Sequence, residues 1–344
     1  MTTAPWAPGS ATGVGSLPGA DPHEAAAVVL GELPALPHLP ELPGRGLGAD
    51  MIGRAAALLV DLAVEVVPSG YRVTAHPGGD HRRAHDLLRW DVDAFDEAVE
   101  RAGRPAAVKV QVAGPWTVGA GIELPRGHRV LTDRGALREF GDSLAEGLTR
   151  HVAEITRRTG APVVVQVDEP SLPAVLAGSL PTASGYGMIS PVPVPEATEV
   201  LDRFISAARR ASGQPVVVHC CAPHPPIDLL RAAGADALAL DATLLEGVPA
   251  ALNDQIGEAW DAGMTLFLGL VPSTDPGIPV TLRQVATPAL RLVDRLGFDR
   301  TFLATRAVAT PICGMAGASQ GWARQAMALA RDVGKAFVEP PDSW

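Results

Sequence analysis

The sequence predicts an α/β protein, a (β/α)8 TIM barrel with loop elaborations. Two observations predict it: short apolar runs rich in β-branched residues alternate with longer amphipathic stretches, and eight such runs can be found along the chain. Continuous apolar strands such as PVVVQVD and TLFLGLV expect cover on both faces, which βα repeats supply by laying helices on a parallel sheet. A doubly wound open sheet satisfies the same alternation, but eight strands can close on themselves. No obvious interdomain linker interrupts the pattern, so residues 1–344 read as a single domain.

In chain order, strands are expected at 11–17 (ATGVGSL), 106–114 (AAVKVQVAG), 162–168, 215–220 (PVVVHC), 237–241 (ALALD), 265–271 and 301–307 (TFLATRA). A weaker candidate near Tyr71–Ala75 completes the eight. Helical spacing of apolar residues marks 135–158, 196–211, 226–233, 281–296 and 316–335. Two stretches break the rhythm. PALPHLPELPGRG, 34–46, is too rich in Pro and Gly for a long helix and reads as a loop crossing a barrel end. The stretch 173–195 also reads mostly as loop, and loops of this length at a barrel mouth serve as lids.

Composition narrows the function classes. The chain is 47% hydrophobic but only 4% aromatic, so aliphatic side chains fill its core. A formal net charge of -10 gives no reason to expect a nucleic-acid partner. No uninterrupted apolar run of about 18 residues marks a membrane span, and MTTAPWAPGS lacks the basic start and apolar middle of a secretion signal. A cytoplasmic location is expected. Three cysteines cannot staple a chain this long, and a disulfide between adjacent Cys220 and Cys221 would be strained; a reducing compartment fits.

The chemistry concentrates at strand ends. His219, Cys220 and Cys221 close one strand, Asp241 closes the next, and Cys313 follows the last. In a barrel those ends converge on one mouth. His219, Cys221, Asp241 and Cys313 would offer one nitrogen, two sulfurs and one oxygen, a donor set that favours Zn²⁺ over Mg²⁺ or Ca²⁺. Alternation along a strand lets His219 and Cys221 share an aspect while Cys220 points elsewhere, into packing. Buried free thiols and a hydrogen-bonded core histidine are the competing reading. Asp168 and Glu169 end another strand with opposite pleat directions, so one of them faces the mouth. Asp168 there either holds a substrate amine or caps a turn. Ser16, in GVGSLPG, offers a hydroxyl and nearby backbone N–H groups for a carboxylate, although the same residues make ordinary turns. Trp116, in AGPWTVG, either meets a flat ligand or covers the barrel end.

Taken in order, GSLP, AGPWT, QVDEP, HCC, ALALD and TPICG resemble the catalytic, carboxyl-terminal half of cobalamin-independent methionine synthase, over nearly all of the chain. That family lies in the barrel superfamily that also contains uroporphyrinogen decarboxylase. The resemblance implies a Zn²⁺ site on His219, Cys221, Asp241 and Cys313, with Asp241 standing where the family usually has glutamate, one methylene longer. It also implies that Ser16 and Asp168 bind the amino-acid part of homocysteine, whose sulfur accepts a methyl group to form methionine. The full family enzyme carries a duplicated amino-terminal barrel on its folate side, and its additional glutamate and pterin-contacting tryptophan have no secure match here. The expected donor is therefore methyltetrahydrofolate or a methylcorrinoid, the latter brought by a corrinoid protein. Another zinc-dependent thiol alkyltransferase and a non-catalytic small-molecule-binding barrel are the alternatives.

Overall fold

The computed structural model describes residues 4–182 and 185–339; the first three residues of the opening segment, two residues of the 173–195 loop and the last five residues lie outside them. Among the described residues nine strands occur in chain order: β1 (Ala63–Val67), β2 (Gly70–Thr74), β3 (Val108–Ala113), β4 (Ile122–Glu123), β5 (Val163–Asp168), β6 (Val216–His219), β7 (Ala237–Asp241), β8 (Thr265–Val271) and β9 (Ala307–Pro311). The helices are α1 (Pro22–Glu32), α2 (Met51–Leu58), α3 (Gly79–Ala102), α4 (Pro115–Gly121), α5 (Arg134–Thr159), α6 (Leu172–Ala177), α7 (Val194–Ser212), α8 (Ile227–Ala232), α9 (Ala250–Asp261), α10 (Leu282–Leu296), α11 (Phe302–Arg306) and α12 (Gln320–Phe337). Among the described residues no helix is long and apolar enough to cross a membrane.

Six strands form one parallel, curled sheet in the order β3-β5-β6-β7-β8-β9. Parallel neighbours need crossovers, and the amphipathic helices supply them. Several start on side-chain caps: Asp133 accepts from Gly135 and Ala136 N–H ahead of α5, and Thr281 with Gln284 forms a capping box ahead of α10. Helices α5 and α7 stop at Gly160 and Gly213, both left-handed, a conformation glycine adopts without a Cβ penalty.

Three strand expectations are corrected. Segment 11–17 does not form a regular strand; it meets β9 through a single parallel bridge, Ala11 to Ala309. The stretch expected to be loop, 34–46, contributes an extended piece that bridges β3 through His38 and Lys109 and meets the first segment through Ser16 and Glu41. Pro37 and Pro40 carry no N–H, so a full ladder cannot form there. The candidate near Tyr71 belongs to a separate sheet, β1-β2-β4, in which β2 runs antiparallel to β1. At 301–307, Asp299 Oδ1 accepts from Thr301 N–H and Oγ1–H and starts the helix α11, and the strand begins only at Ala307.

Strand alternation sorts the sheet's two faces. Val163, Val165, Val167, Val216, Val218, Leu238, Leu240, Leu266 and Leu268 belong to the large core shared with the helices. The opposite face carries an apolar floor of Ala107, Val164, Val217, Ala237, Ala239, Phe267 and Val308, joined by Leu36 and by Trp6 edge-on to Phe267 at 5.2 Å between ring centroids. Two residues further along β3 and β5 the same face turns polar, with Lys109, Gln111, Gln166 and Asp168 all buried, and His219 follows on β6. This step from apolar floor to polar top positions the site at the carboxyl ends of the strands.

Candidate metal centre

Strand β6 ends at His219, and Cys220 N–H donates to Ala239 O at 3.0 Å, so the chain stays aligned with β7 for one more residue. Cys220 is fully buried and outside the group that follows. One imidazole nitrogen of His219 and the sulfurs of Cys221 and Cys313 lie within 4.8 Å of one another. The two sulfurs are 3.1 Å apart. Cys313 arrives from β9: Ile312 N–H donates to Val271 O at 2.8 Å and Met315 N–H to Ser16 O at 2.7 Å. A Cβ on Gly314 would stand 2.1 Å from Ser16 Oγ, so the absence of a side chain lets the Cys313 turn close onto Ser16.

The electrostatics couple these groups. Burial lowers the His219 imidazole, but the hydrogen bond to Asp168 and the nearby Cys313 more than reverse it and hold it at about 9. Cys313 is pulled down to about 4, chiefly by the hydrogen bond from Cys221 and with help from His219, against burial. Cys221, the donor, is pushed upward by that bond and by burial. The two sulfurs are close enough to act together as soft donors.

The donor chemistry fits zinc. Imidazole nitrogen and thiolate sulfur bind Zn²⁺ at about 2.0–2.3 Å, which puts ligand atoms under about 4 Å apart, and small side-chain adjustments bring this group, gathered within 4.8 Å, to that size. His219 Nε2 is buried with no conventional hydrogen-bond partner, while Nδ1 is held by Asp168 Oδ1 at 2.8 Å. A carboxylate on one nitrogen and the other left open is how metal-binding histidines are oriented. Asp241 stands apart from the three. Its Oδ1 accepts from Thr243 N–H at 2.9 Å and Thr243 Oγ1–H at 2.6 Å, capping the short turn Ala242–Leu245. Burial raises its carboxyl pKa, and the Cys313 charge adds to the rise.

The two acidic residues after β5 part as their pleat directions require. Asp168 is on the concave face, paired in register with His219, and its Oδ1 also accepts from Gln166 Nε2 at 2.7 Å. Glu169 turns the other way: its carboxylate accepts from Trp116 N–H at 3.0 Å, Thr117 N–H at 2.8 Å and Thr117 Oγ1–H at 2.7 Å at the start of α4. Burial drives its pKa up to about 7 against those bonds. Trp116 is fully buried and donates Nε1–H to Ala197 O at 3.1 Å.

Sequence reasoning missed Glu41, Lys109 and Gln166. Glu41 reaches the site because its backbone is bridged to Gly15–Leu17; its Oε1 is 3.3 Å from Gln111 Nε2 and 3.7 Å from Arg54 Nε. Burial raises its carboxyl pKa against the Arg54 charge, and the Asp168 charge adds to the rise. The available signal was the polar residues at alternate positions of otherwise apolar strands, VKVQV and VVVQVD, which must share one face.

A profile of the family described as "cobalamin-independent synthase, catalytic domain" matches residues 10–336. No curated protein matches the chain. Among solved structures, a B12-independent methionine synthase from Shewanella sp. W3-18-1, in complex with selenomethionine, is similar with a TM-score of 0.57 at 13% identity, over 96% of this chain and 98% of that one. A methyltransferase from Methanosarcina mazei is similar with a TM-score of 0.56 at 16% identity, over 96% of this chain and 94% of that one. At these identities the likeness shows a shared fold.

Proposed function

Since this chain belongs to the family of cobalamin-independent synthase catalytic domains and is a methyltransferase of that kind, we propose that it methylates the sulfur of homocysteine, with zinc held by His219, Cys221 and Cys313. The single observation that carries this reading is the convergence of one imidazole nitrogen of His219 and the sulfurs of Cys221 and Cys313 within 4.8 Å of one another. Asp241 is the proposed fourth donor, available once it releases Thr243. We also read the two bridged segments, 11–17 and 37–41, as the remaining staves of an eight-membered barrel.

When bound, zinc supplies positive charge that favours the thiolate of a substrate at neutral pH. The protein's own residues do the positioning. Ser16, beside the Cys313 turn, takes the substrate carboxylate, and Asp168 with Glu41 takes the ammonium group. Those contacts aim the sulfur outward from the sheet end, where its thiolate attacks the donor methyl in line: the S–C bond forms as the bond from the methyl carbon to the donor atom breaks, and that bond's electron pair stays with the donor, whose nitrogen, in methyltetrahydrofolate, takes up a proton. The apolar floor beneath admits no charge, so the reacting sulfur faces the open end.

The donor is proposed to be methyltetrahydrofolate. A methylcorrinoid on a corrinoid protein is the other donor considered, and membership of a cobalamin-independent family lends it no support. Incubating zinc-loaded protein with homocysteine and each donor separately, then measuring methionine, tests the reading. Methionine with methyltetrahydrofolate is expected. None with either donor, in protein that retains zinc, would move the reading to another thiol acceptor or to a binding protein.

A further inference from the structure

We propose that Lys109 is a positioning residue of the metal centre: through Gln166 it orients Asp168, and through Asp168 it decides which nitrogen of His219 is left for the metal. The inference rests on the zinc reading above and extends it to side chains that touch neither metal nor substrate.

Lys109 sits on β3 with no solvent exposure. Its Nζ donates to Gln166 Oε1 at 2.7 Å, Gln111 Oε1 at 3.2 Å and Val14 O at 3.2 Å, three acceptors for three N–H bonds. Burial brings the ammonium pKa down to about 7, and the Asp168 and Glu41 charges act against that fall. A buried amine with every proton placed is a deliberate arrangement, because an unpaired one would be costly.

Gln166 lies between a group that, as the ammonium, can only donate and a group that, when ionised, can only accept. Its amide therefore fits one way round. Oε1 faces Lys109, and Nε2 gives its two protons to Asp168 Oδ1 at 2.7 Å and Val14 O at 2.9 Å. Asp168 Oδ1 in turn accepts from His219 Nδ1 at 2.8 Å, which leaves Nε2 on the side of the cysteines. The strand registers make this a straight ascent: Gln111 is paired with Gln166, and Asp168 with His219. Without the lysine, Gln166 Oε1 loses its donor and the amide is held from its Nε2 side alone, so the N–H aimed at Asp168 is less firmly placed.

A lysine that only fills space would give different results from one that orients the relay. Lys109→Met and Gln166→Met should each weaken zinc binding, measured by chelator competition, by about 10-fold, the scale typical of outer partners of a metal ligand. In metal-free protein labelled with ¹⁵N-histidine, the Nδ1 proton of His219 should exchange with water about tenfold faster in both variants. The double variant should be no worse than either single one, because both break the same chain. Gln166→Met keeps the lysine, so it decides the matter if Lys109→Met does not fold. An unchanged Nδ1 proton in a folded variant, or effects that multiply in the double variant, would overturn the proposal. Wild-type protein that binds no zinc would sink the metal reading alone, and the proton exchange would still decide the role of Lys109.

Discussion

Cys220 and Cys221 are adjacent in sequence and opposite in circumstance. Cys220 is buried in packing, with burial foremost among the causes that push its thiol up to about 12, whereas Cys221 is partly exposed 3.1 Å from Cys313. Replacing Cys313 with Ser should weaken zinc binding more than about 100-fold, beyond the loss expected for an outer partner, and Cys220→Ser should leave it within a few-fold. Chelator competition on the two variants checks this, and equal affinities would remove Cys313 from the ligand set. The division was legible beforehand, because alternation along a strand sends neighbours to opposite sides. What Asp168 would touch was not legible: the residue type allowed an amine, a cap or a histidine, and only the β5–β6 register brought it to His219.

At the scale of elements, the site depends on how closely helices can approach the sheet and one another. A Cβ on Gly147 of α5 would stand 1.6 Å from Leu58 O at the end of α2, so glycine there permits direct backbone contact between two helices. Gly147→Ala should destabilise the fold by about 1–3 kcal/mol through overpacking. The expected outcome is a lower Tm in thermal unfolding with one zinc still bound per chain. An unchanged Tm would show that α2 shifts freely. Gly114 plays a similar part near the site, since a Cβ would lie 2.3 Å from Glu169 Oε1 and displace the carboxylate that caps α4. The regular βα repeats from β5 onward were readable from hydrophobic period alone. The edges were not, because prolines and glycines leave segments 11–17 and 37–41 with single bridges in place of ladders, and α11 begins inside a run that reads as strand.

Across the whole molecule, several histidines are buried in neutral form. Burial lowers His151 from 6.5 to about 4, with the Arg54 charge adding, and holds His38 well below its usual range. Such groups bind protons in the unfolded chain before the folded one does, so their contribution is present above pH 6.5 and is lost as pH falls towards 4. For His151 the difference corresponds to roughly 3 kcal/mol. Glu169 acts in the opposite sense: its folded pKa of about 7 is above 4.5, so its contribution is present below pH 4.5 and lost as pH rises through 7. Urea unfolding from pH 7 to pH 4 should show His151→Gln with a flatter acid loss than the wild type, by up to that 3 kcal/mol. An identical slope in both would mean that His151 is protonated in the folded state.

By itself the sequence determined the class of the fold, the order of its parallel strands from β5 onward, and which residue types crowd the strand ends. Periodicity assigns a side chain to a face, and residue chemistry says what that side chain can bind. Only the tertiary structure decided where four carboxylates go: Asp168 to His219, Glu169 to the start of α4, Asp241 to Thr243, and Glu41 to Gln111 and Arg54. The same holds for the buried chain from Lys109 to His219. Those pairings depend on cross-strand register and turn direction. Both are set by contacts between segments far apart in the chain, which no local pattern encodes.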